Sequence, residues 1–162
     1  MTAIKAVNYN QVHTVGYTPF PMDTIKPWVA LLDADEDDYL FWQHGFRRWA
    51  QHLELYWFSS VAEFISATSL GNDKPVALVM DGVVPDGEEI KWLSTLLLHP
   101  SCQKACLIML SGEVIEQQRI DYLRLGATDH LQKPVHLDDL QVVVLTVSNH
   151  IAHNSGLPRD NV

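Results

Sequence analysis

The sequence predicts an α/β domain in which helices cover both faces of a doubly wound, five-stranded parallel sheet. Two observations predict it. Five short apolar runs alternate along the chain with five segments of helical periodicity, as in right-handed crossovers between parallel strands. The apolar runs are nearly continuous and do not alternate with polar residues. Strands with that pattern are typically buried on both faces of a sheet.

The predicted strands are short segments between polar or turn residues. They are Val29 to Leu32, Leu53 to Phe58, Val76 to Met80, Leu107 to Leu110 and His130 to Leu131. The last segment carries the weakest pattern, so its assignment depends on the alternation with helices.

The segments between the strands have helical spacing. In the first, Tyr39, Trp42, Phe46 and Trp49 fall at i, i+3, i+7 and i+10 and share one face. The next three predicted helices are Ser60 to Leu70, Glu88 to Leu98 and Glu113 to Leu125, the last closed by Gly126. The fifth carries Leu137, Leu140, Val144, Val147 and Ile151 on one face. Its β-branched residues also suit a strand, but the segment HLDD at 136–139 favours a helix start.

Length, charge and composition narrow the function classes. A chain of 162 residues with 47% apolar and 19% charged residues is typical of one globular domain. The net charge of -9 argues against a nucleic-acid partner. We find no signal peptide and no apolar run that could span a bilayer, so we predict a cytoplasmic protein with no membrane partner. Cys102 and Cys106 are then free thiols, without two further ligands for a metal.

We divide the chain into three parts. Residues 1–27 carry polar residues and three prolines without a sustained period, which predicts a flexible arm. Residues 28–152 form the folded domain, and residues 153–162 form a tail. The tail is too short to hold a DNA-binding module, so we expect protein partners.

Polar residues follow four of the predicted strands. Asp33 follows the first, Asp81 the third, Ser111 the fourth and Lys133 the fifth. The carboxyl ends of parallel strands meet at one edge of the sheet, where such sheets bind ligands. Each residue alone also suits an ordinary turn or helix cap. The conjunction of the four predicts a functional site.

These residue types suit phosphoryl transfer with a metal. Carboxylates held close together repel one another unless a cation neutralises them. Mg²⁺ suits such a site because it takes one or two carboxylates together with phosphate oxygens and waters. A carboxylate can attack a phosphoryl donor and become an acyl phosphate. Lys133 would neutralise the transferred phosphoryl oxygens, and the Ser111 hydroxyl could donate a hydrogen bond to one of them.

From Trp28 to about His150 the chain resembles the receiver domains of two-component response regulators, which have a CheY-like, flavodoxin-like fold. The resemblance is carried by VALLDADEDD (29–38), ALVMDGVVPDG (77–87), LIMLSG (107–112) and GATDHLQKP (126–134). The spacings of 30 residues from Asp81 to Ser111 and 52 from Asp81 to Lys133 are also those of a receiver domain. The resemblance implies the strand order 2-1-3-4-5.

The resemblance also implies roles and partners. Asp81 is the phosphoacceptor, Ser111 the switch hydroxyl and Lys133 the phosphate-contacting lysine. Asp33, Asp81 and the backbone carbonyl of Val83 are expected Mg²⁺ ligands. The implied partners are a histidine kinase or phosphotransfer protein, which donates the phosphoryl group, and a downstream protein target. The resemblance leaves homodimer formation open.

Two positions depart from the family pattern. Ala34 stands at the second acidic position, where the family usually has a direct Mg²⁺ ligand, and a methyl group cannot coordinate a metal. Asp35 lies one residue along and would reach the ion only through water. His130 stands where the family usually has Tyr or Phe as a rotating switch aromatic. It could add pH sensitivity, although a partly exposed histidine without a sensing role is the simpler interpretation. The resemblance further implies a cis bond between Lys133 and Pro134.

Three functions remain open at this point. The leading hypothesis is a stand-alone receiver, not an enzyme, that is phosphorylated on Asp81. The second is a pseudo-receiver, a binding module without phosphorylation, which the replacement of a metal-binding acid by Ala34 suggests. The third is a haloacid-dehalogenase-type phosphohydrolase, because VALLDAD also resembles the opening motif of those enzymes. Chain order argues against it, since their acidic motif follows the Ser/Thr and Lys motifs whereas Asp81 precedes Ser111 and Lys133.

Overall fold

The five predicted strands are present in the structure, a computed structural model that describes residues 26–69, 71, 73–81 and 88–155. They are β1 (Trp28–Asp33), β2 (Glu54–Phe58), β3 (Ala77–Asp81), β4 (Cys106–Ser111) and β5 (Asp129–Gln132). All neighbouring strands pair in parallel, in the order β2-β1-β3-β4-β5. The prediction of a parallel sheet with this order is confirmed.

The five predicted helices are also present. They are α1 (Glu36–Trp49), α2 (Val61–Thr68), α3 (Glu89–Leu98), α4 (Glu116–Leu125) and α5 (Leu137–Ser155), with a 3₁₀ turn at Pro100–Cys102 before β4. The β-branched α5 is helical because one face buries Leu140, Val144 and Val147 completely. Burial of such side chains is worth more than the few tenths of a kcal/mol of helix propensity that β-branching costs. This helix extends to Ser155, into the segment that we assigned to the tail.

Three features of the sequence analysis lie outside the described residues. They are residues 1–25 of the predicted arm, residues 156–162 of the predicted tail, and Val83 with its expected metal-binding carbonyl. The division into arm, domain and tail, and the role of Val83, stay predictions.

Two apolar clusters bury the sheet, one on each face. The alternation along β1 shows this: Val29 and Leu31 belong to the cluster that contains α1 and α5, whereas Ala30 and Leu32 belong to the cluster with α2, α3 and α4. Every residue of β1 is buried. Apolar packing on both faces therefore fixes the strand whose end carries Asp33.

Close packing against α5 fixes the direction of α1. A Cβ atom added at Gly45 would lie only 2.8 Å from Cδ2 of Leu140, closer than real side chains approach. Glycine therefore lets the two helices approach at this position. Trp42 and Phe46, also on α1, are buried in the same cluster. These contacts hold the first turn of α1 beside the carboxyl edge of the sheet.

Candidate functional site

Two aspartates lie side by side at the carboxyl ends of the central strands. Asp33 of β1 and Asp81 of β3 are partners in the strand register. Only 3% of Asp33 and 7% of Asp81 is exposed. Two neighbouring carboxylates with so little access to water need positive charge or hydrogen bonds nearby.

The carboxylate of Asp33 is only half satisfied. Its Oδ1 accepts a hydrogen bond of 2.8 Å from the backbone N–H of Asp35. Its buried Oδ2 has no hydrogen-bond partner among the residues that the structure describes. Burial raises the pKa of the Asp33 carboxyl to about 7, against the opposing effect of the Asp35 hydrogen bond, and the charge of Asp81 adds to the rise. An ionised Asp33 therefore needs a cation beside it.

Lys133 brings a positive charge to these carboxylates from the end of β5. Its Nζ lies 2.5 Å from Oδ2 of Asp81 and 4.0 Å from Oδ2 of Asp33. It also donates a hydrogen bond of 2.6 Å to Oδ2 of Asp38. Partial burial alone would lower the pKa of Lys133, but its contacts with Asp38 and Asp81 raise it above the ordinary value. The lysine is therefore a firmly charged cation.

Asp38 is the site residue that the sequence analysis missed. It lies on the first turn of α1, and one oxygen from each of Asp33, Asp38 and Asp81 lies within 4.8 Å of the others. Asp38 is the third residue of α1, and helical side chains tilt toward the N-terminus of their helix, which here follows the end of β1. Its place in the first helical turn was the available signal. Asp33, Asp38, Asp81 and Lys133 are called the acidic pocket below.

Asp35, which was expected to reach the ion through water, caps helix α1. Its Oδ1 accepts a hydrogen bond of 3.0 Å from the backbone N–H of Asp37, so it is the N-cap of α1. The side chain is exposed and is not among the three carboxylates that lie together. Contact between Asp35 and an ion through water stays a prediction.

Ser111 and His130, here called the switch pair, lie at the neighbouring strand ends. The Oγ of Ser111 and the Nε2 of His130 form a hydrogen bond of 2.7 Å. The His130 ring meets that of Tyr122 edge to face, with centroids 5.0 Å apart. Only 2% of His130 is exposed, so its interpretation as a partly exposed histidine was wrong. Tyr122 of α4 covers the His130 ring, a contact that the sequence pattern around position 130 does not indicate.

Burial lowers the pKa of His130, and the positive charge of Arg119 lowers it further, while Asp129 opposes both. The neutral imidazole is therefore favoured, and its Nε2 either accepts from the Ser111 hydroxyl or donates to the Ser111 oxygen, according to the tautomer. The backbone also links the switch pair to the acidic pocket, because the N–H of Lys133 donates to the carbonyl of Ser111 at 2.8 Å.

Trp57 holds the end of β1 in place. Its indole N–H donates a hydrogen bond of 2.8 Å to the backbone carbonyl of Asp33, and its ring stacks on Tyr39 with centroids 6.1 Å apart. Tyr39 follows Asp38 directly on α1. The sequence carries no signal for this role, because a pattern of aromatic residues indicates only core packing.

The structure thus brings Asp33, Asp81 and Lys133 together and places Ser111 at the adjoining strand end. The bond between Lys133 and Pro134 is trans, as are all the peptide bonds that the structure describes, so the expected cis bond was wrong. Trans is the intrinsically favoured form, and with it the lysine already reaches the pocket.

The acidic pocket fits Mg²⁺ on the chemistry of its donors. The three carboxylates are hard oxygen ligands of the kind that this ion takes. The buried Oδ2 of Asp33, without a partner among the described residues, is the group that most needs a cation. Asp33, Asp38 and Asp81 are therefore the side chains that would hold the ion.

The comparisons with known proteins give a clear result for structure and none for sequence. No protein-family model matches the chain, and no curated protein matches it. No helix in the described part of the chain is long and apolar enough to cross a membrane.

Solved structures of response regulators match most of the chain. The response regulator RPA3017 in red light signaling of R. palustris has a TM-score of 0.67 at 17% identity, with 82% of this chain and 98% of that chain covered. The phosphorylated cyanobacterial phytochrome response regulator RcpA has a TM-score of 0.65 at 13% identity, with 84% and 99% covered. The chemotaxis response regulator CheY4 of Vibrio cholerae has a TM-score of 0.62 at 15% identity, with 75% and 98% covered. The chain therefore has the fold of a response regulator receiver domain.

Proposed function

We propose that the chain is a receiver that accepts a phosphoryl group on Asp81 and signals through protein binding. The donor would be the phosphohistidine of a histidine kinase or phosphotransfer protein. One observation carries the proposal: a buried carboxylate at the carboxyl edge of the sheet contacts a lysine ammonium, with a second buried carboxylate beside it. A nucleophilic carboxylate, a cation for the phosphoryl oxygens and an acid for a metal are then all present.

The transfer follows from these contacts. A carboxylate oxygen of Asp81 attacks the phosphorus, the new O–P bond forms as the N–P bond to the donor imidazole breaks, and the electron pair stays on the imidazole nitrogen. Lys133, already beside Asp81, would neutralise a phosphoryl oxygen. The Ser111 hydroxyl would donate to another oxygen once it leaves His130. Mg²⁺, when bound by the three carboxylates, supplies further positive charge to the phosphoryl oxygens.

An apolar surface near Lys133 supports protein binding as the output. Val135 is 72% exposed and Val142 is 65% exposed. Both line a groove of about 310 Å³ between the end of β5 and α5, and Lys133 lines the same groove. Movement of the lysine onto a phosphoryl group would change this surface directly, and exposed apolar patches often mark protein interaction sites.

A pseudo-receiver is the second candidate, and one observation favours it. Lys133 already contacts both Asp38 and Asp81, so the acidic pocket holds a cation of its own without any ion. A pocket built in this way could persist as a structural feature of a binding module. No observation favours the phosphohydrolase, since the solved structures reported above as sharing this fold are response regulators.

The decisive experiment is the intact mass of the protein after incubation with acetyl phosphate and Mg²⁺. We expect the wild type to gain one phosphoryl group and Asp81→Asn to gain none. Asp73→Asn, which removes a carboxylate outside the pocket, is the matched control and should react like the wild type. No gain by the wild type with the donor in large excess would favour the pseudo-receiver instead.

A further inference from the structure

We propose that Asp38 takes the place of the acid missing at position 34 and completes a divalent-cation site with Asp33 and Asp81. In the absence of the ion, Lys133 holds the Asp38 carboxylate. The inference concerns the same pocket as the proposed function and rests on it only for the use to which the ion is put. The ligand that the family pattern places at the end of the first strand would here lie on the first turn of α1.

The geometry of the three carboxylates is close to what the ion requires. Their nearest oxygens all lie within 4.8 Å of one another. Mg²⁺ binds oxygens at 2.0–2.1 Å in octahedral geometry, so two ligands are about 4.2 Å apart when opposite and about 3 Å apart when adjacent. Side-chain movements of about 1–2 Å would therefore bring the oxygens of Asp33, Asp38 and Asp81 into one coordination shell.

A second observation is independent of the proximity of the acids. The Asp33 side chain is 4% exposed, and its Oδ2 has no hydrogen-bond partner among the described residues. The only described cation near it, the Nζ of Lys133, stays 4.0 Å away and is closer to two other carboxylates. A buried carboxylate oxygen left in this state costs free energy that a bound ion would recover.

Charge points to a divalent ion. Among the residues of the acidic pocket, three carboxylates face one ammonium, so the fully ionised pocket carries two uncompensated negative charges. A divalent cation supplies the missing charge. Since Lys133 and the ion would both attract Asp38, binding of the ion should weaken the ion pair between Lys133 and Asp38.

Two acids close to Asp38 in the chain, Asp35 and Asp37, do not offer an equivalent ligand. The Asp35 carboxylate is engaged as the cap of α1. Asp37, on the same turn as Asp38, is exposed and is not one of the three carboxylates that lie together. Asp37 therefore provides a matched control, since Asp37→Asn makes the same change in charge one residue away.

The test is calorimetric titration of the full chain with Mg²⁺ alone, without a phosphoryl donor. We expect Asp38→Asn to weaken the affinity by roughly tenfold or more, and Asp37→Asn to leave it within about twofold of the wild type. Intrinsic fluorescence gives a second readout of Mg²⁺ binding, because the Trp57 indole N–H donates a hydrogen bond to the backbone carbonyl of Asp33. Equal affinity of Asp38→Asn and the wild type, or no binding by the wild type, would overturn the inference.

A compensating variant guards against a change in folding. Ala34→Asp combined with Asp38→Asn returns the acid to the strand end and should restore most of the affinity that Asp38→Asn loses. Failure to restore it, with the thermal melting of the double variant unchanged, would show that Asp38 acts through packing and not as a ligand. Binding of Mg²⁺ through Asp38 without any phosphorylation would sink only the proposed function. Phosphorylation with unchanged Mg²⁺ affinity in Asp38→Asn would sink only this inference.

Discussion

The acidic pocket and the switch pair lie at the same edge of the sheet but satisfy their buried groups differently. In the acidic pocket three carboxylates share one ammonium, and an oxygen of Asp33 lacks a partner among the described residues. In the switch pair a hydroxyl and a neutral imidazole hydrogen-bond to each other beside Tyr122. The first region carries an excess of negative charge, whereas the second is neutral, and its own buried atom without a hydrogen-bond partner among the described residues is the Nδ1 of His130.

The difference teaches which region responds to which signal. A charged pocket with an unsatisfied oxygen should change its stability with pH and with divalent ions, because each alters its charge balance. The switch pair has no net charge to neutralise. It should respond only to a group that competes for the Ser111 hydroxyl, such as a phosphoryl oxygen, or to protonation of His130.

Lys133→Gln should give the largest effect, because it removes the ammonium from the acidic pocket. Asp38 and Asp81 would then lose their cation while they remain partly or fully buried. We expect the free energy of unfolding at pH 8 to fall by about 3 kcal/mol, measured by urea denaturation. Saturating Mg²⁺ should recover part of the loss, because the ion replaces the missing charge.

Lys91→Gln is the matched control, since Lys91 is an exposed lysine on α3. It should change the free energy of unfolding by less than about 0.5 kcal/mol. If the two lysine variants lose the same amount, the acidic pocket does not depend on its cation, and the contrast with the switch pair disappears.

Asp33→Asn should change the free energy of unfolding in the opposite direction and by a smaller amount than Lys133→Gln. The folded-state pKa of Asp33, about 7, lies above its ordinary value of 3.8. The carboxyl therefore contributes stability that is fully present below pH 3.8 and is lost as the pH rises through 7. Asparagine keeps an oxygen for the Asp35 N–H and carries no charge. We expect the variant to be more stable than the wild type by about 2 kcal/mol at pH 8 and nearly equal to it at pH 4, by urea denaturation.

The control for Asp33→Asn is Asp37→Asn, which changes an exposed carboxyl and should be neutral at both pH values. Saturating Mg²⁺ should remove the advantage of Asp33→Asn at pH 8, because the wild type then has a cation beside its carboxylate. An equal gain at pH 4 and pH 8 would mean that the charge of Asp33 is not its cause.

The fold was largely predictable from the sequence because its signal is local and repeated. Each strand is an apolar run, and each helix has an apolar face that the sheet must cover. The carboxyl edge of a parallel sheet then collects Asp33, Asp81, Ser111 and Lys133 without further information. Element ends were less predictable: α4 begins at Glu116, three residues later than expected, because tertiary packing and capping decide the first turn.

The details of the site were less predictable because they depend on side-chain direction. Asp38 enters the pocket from the first turn of α1, and this helix packs closely on α5 through Gly45 and Leu140, which are far apart in the sequence. The burial of His130 depends on the distance of α4 from the sheet, which no run of residues around position 130 encodes. His130 was a candidate from its place in the sequence, whereas Asp38 was not.

His130→Phe should give the smallest effect at neutral pH, and it tests the second region. Phenylalanine can fill the pocket beside Tyr122 but loses the hydrogen bond to Ser111, at a cost of about 1 kcal/mol at pH 7. Because the pKa of His130 is lowered in the folded state, the contribution of the neutral imidazole to stability is fully present above pH 6.5. It is lost as the pH falls through the folded-state pKa. The variant should therefore lose less stability than the wild type when the pH falls from 7 to 5.

The comparison between wild type and variant is essential for His130, because Asp33 changes stability in the opposite direction over the same pH range. Subtracting the two urea-denaturation profiles cancels the acidic pocket, which His130→Phe leaves intact, and isolates the imidazole. His136→Phe changes an exposed histidine and should give a profile parallel to that of the wild type. If the pH profile of stability for His130→Phe is also parallel to that of the wild type, protonation of His130 does not oppose folding. The switch pair would then not be the neutral region that its hydrogen bond indicates.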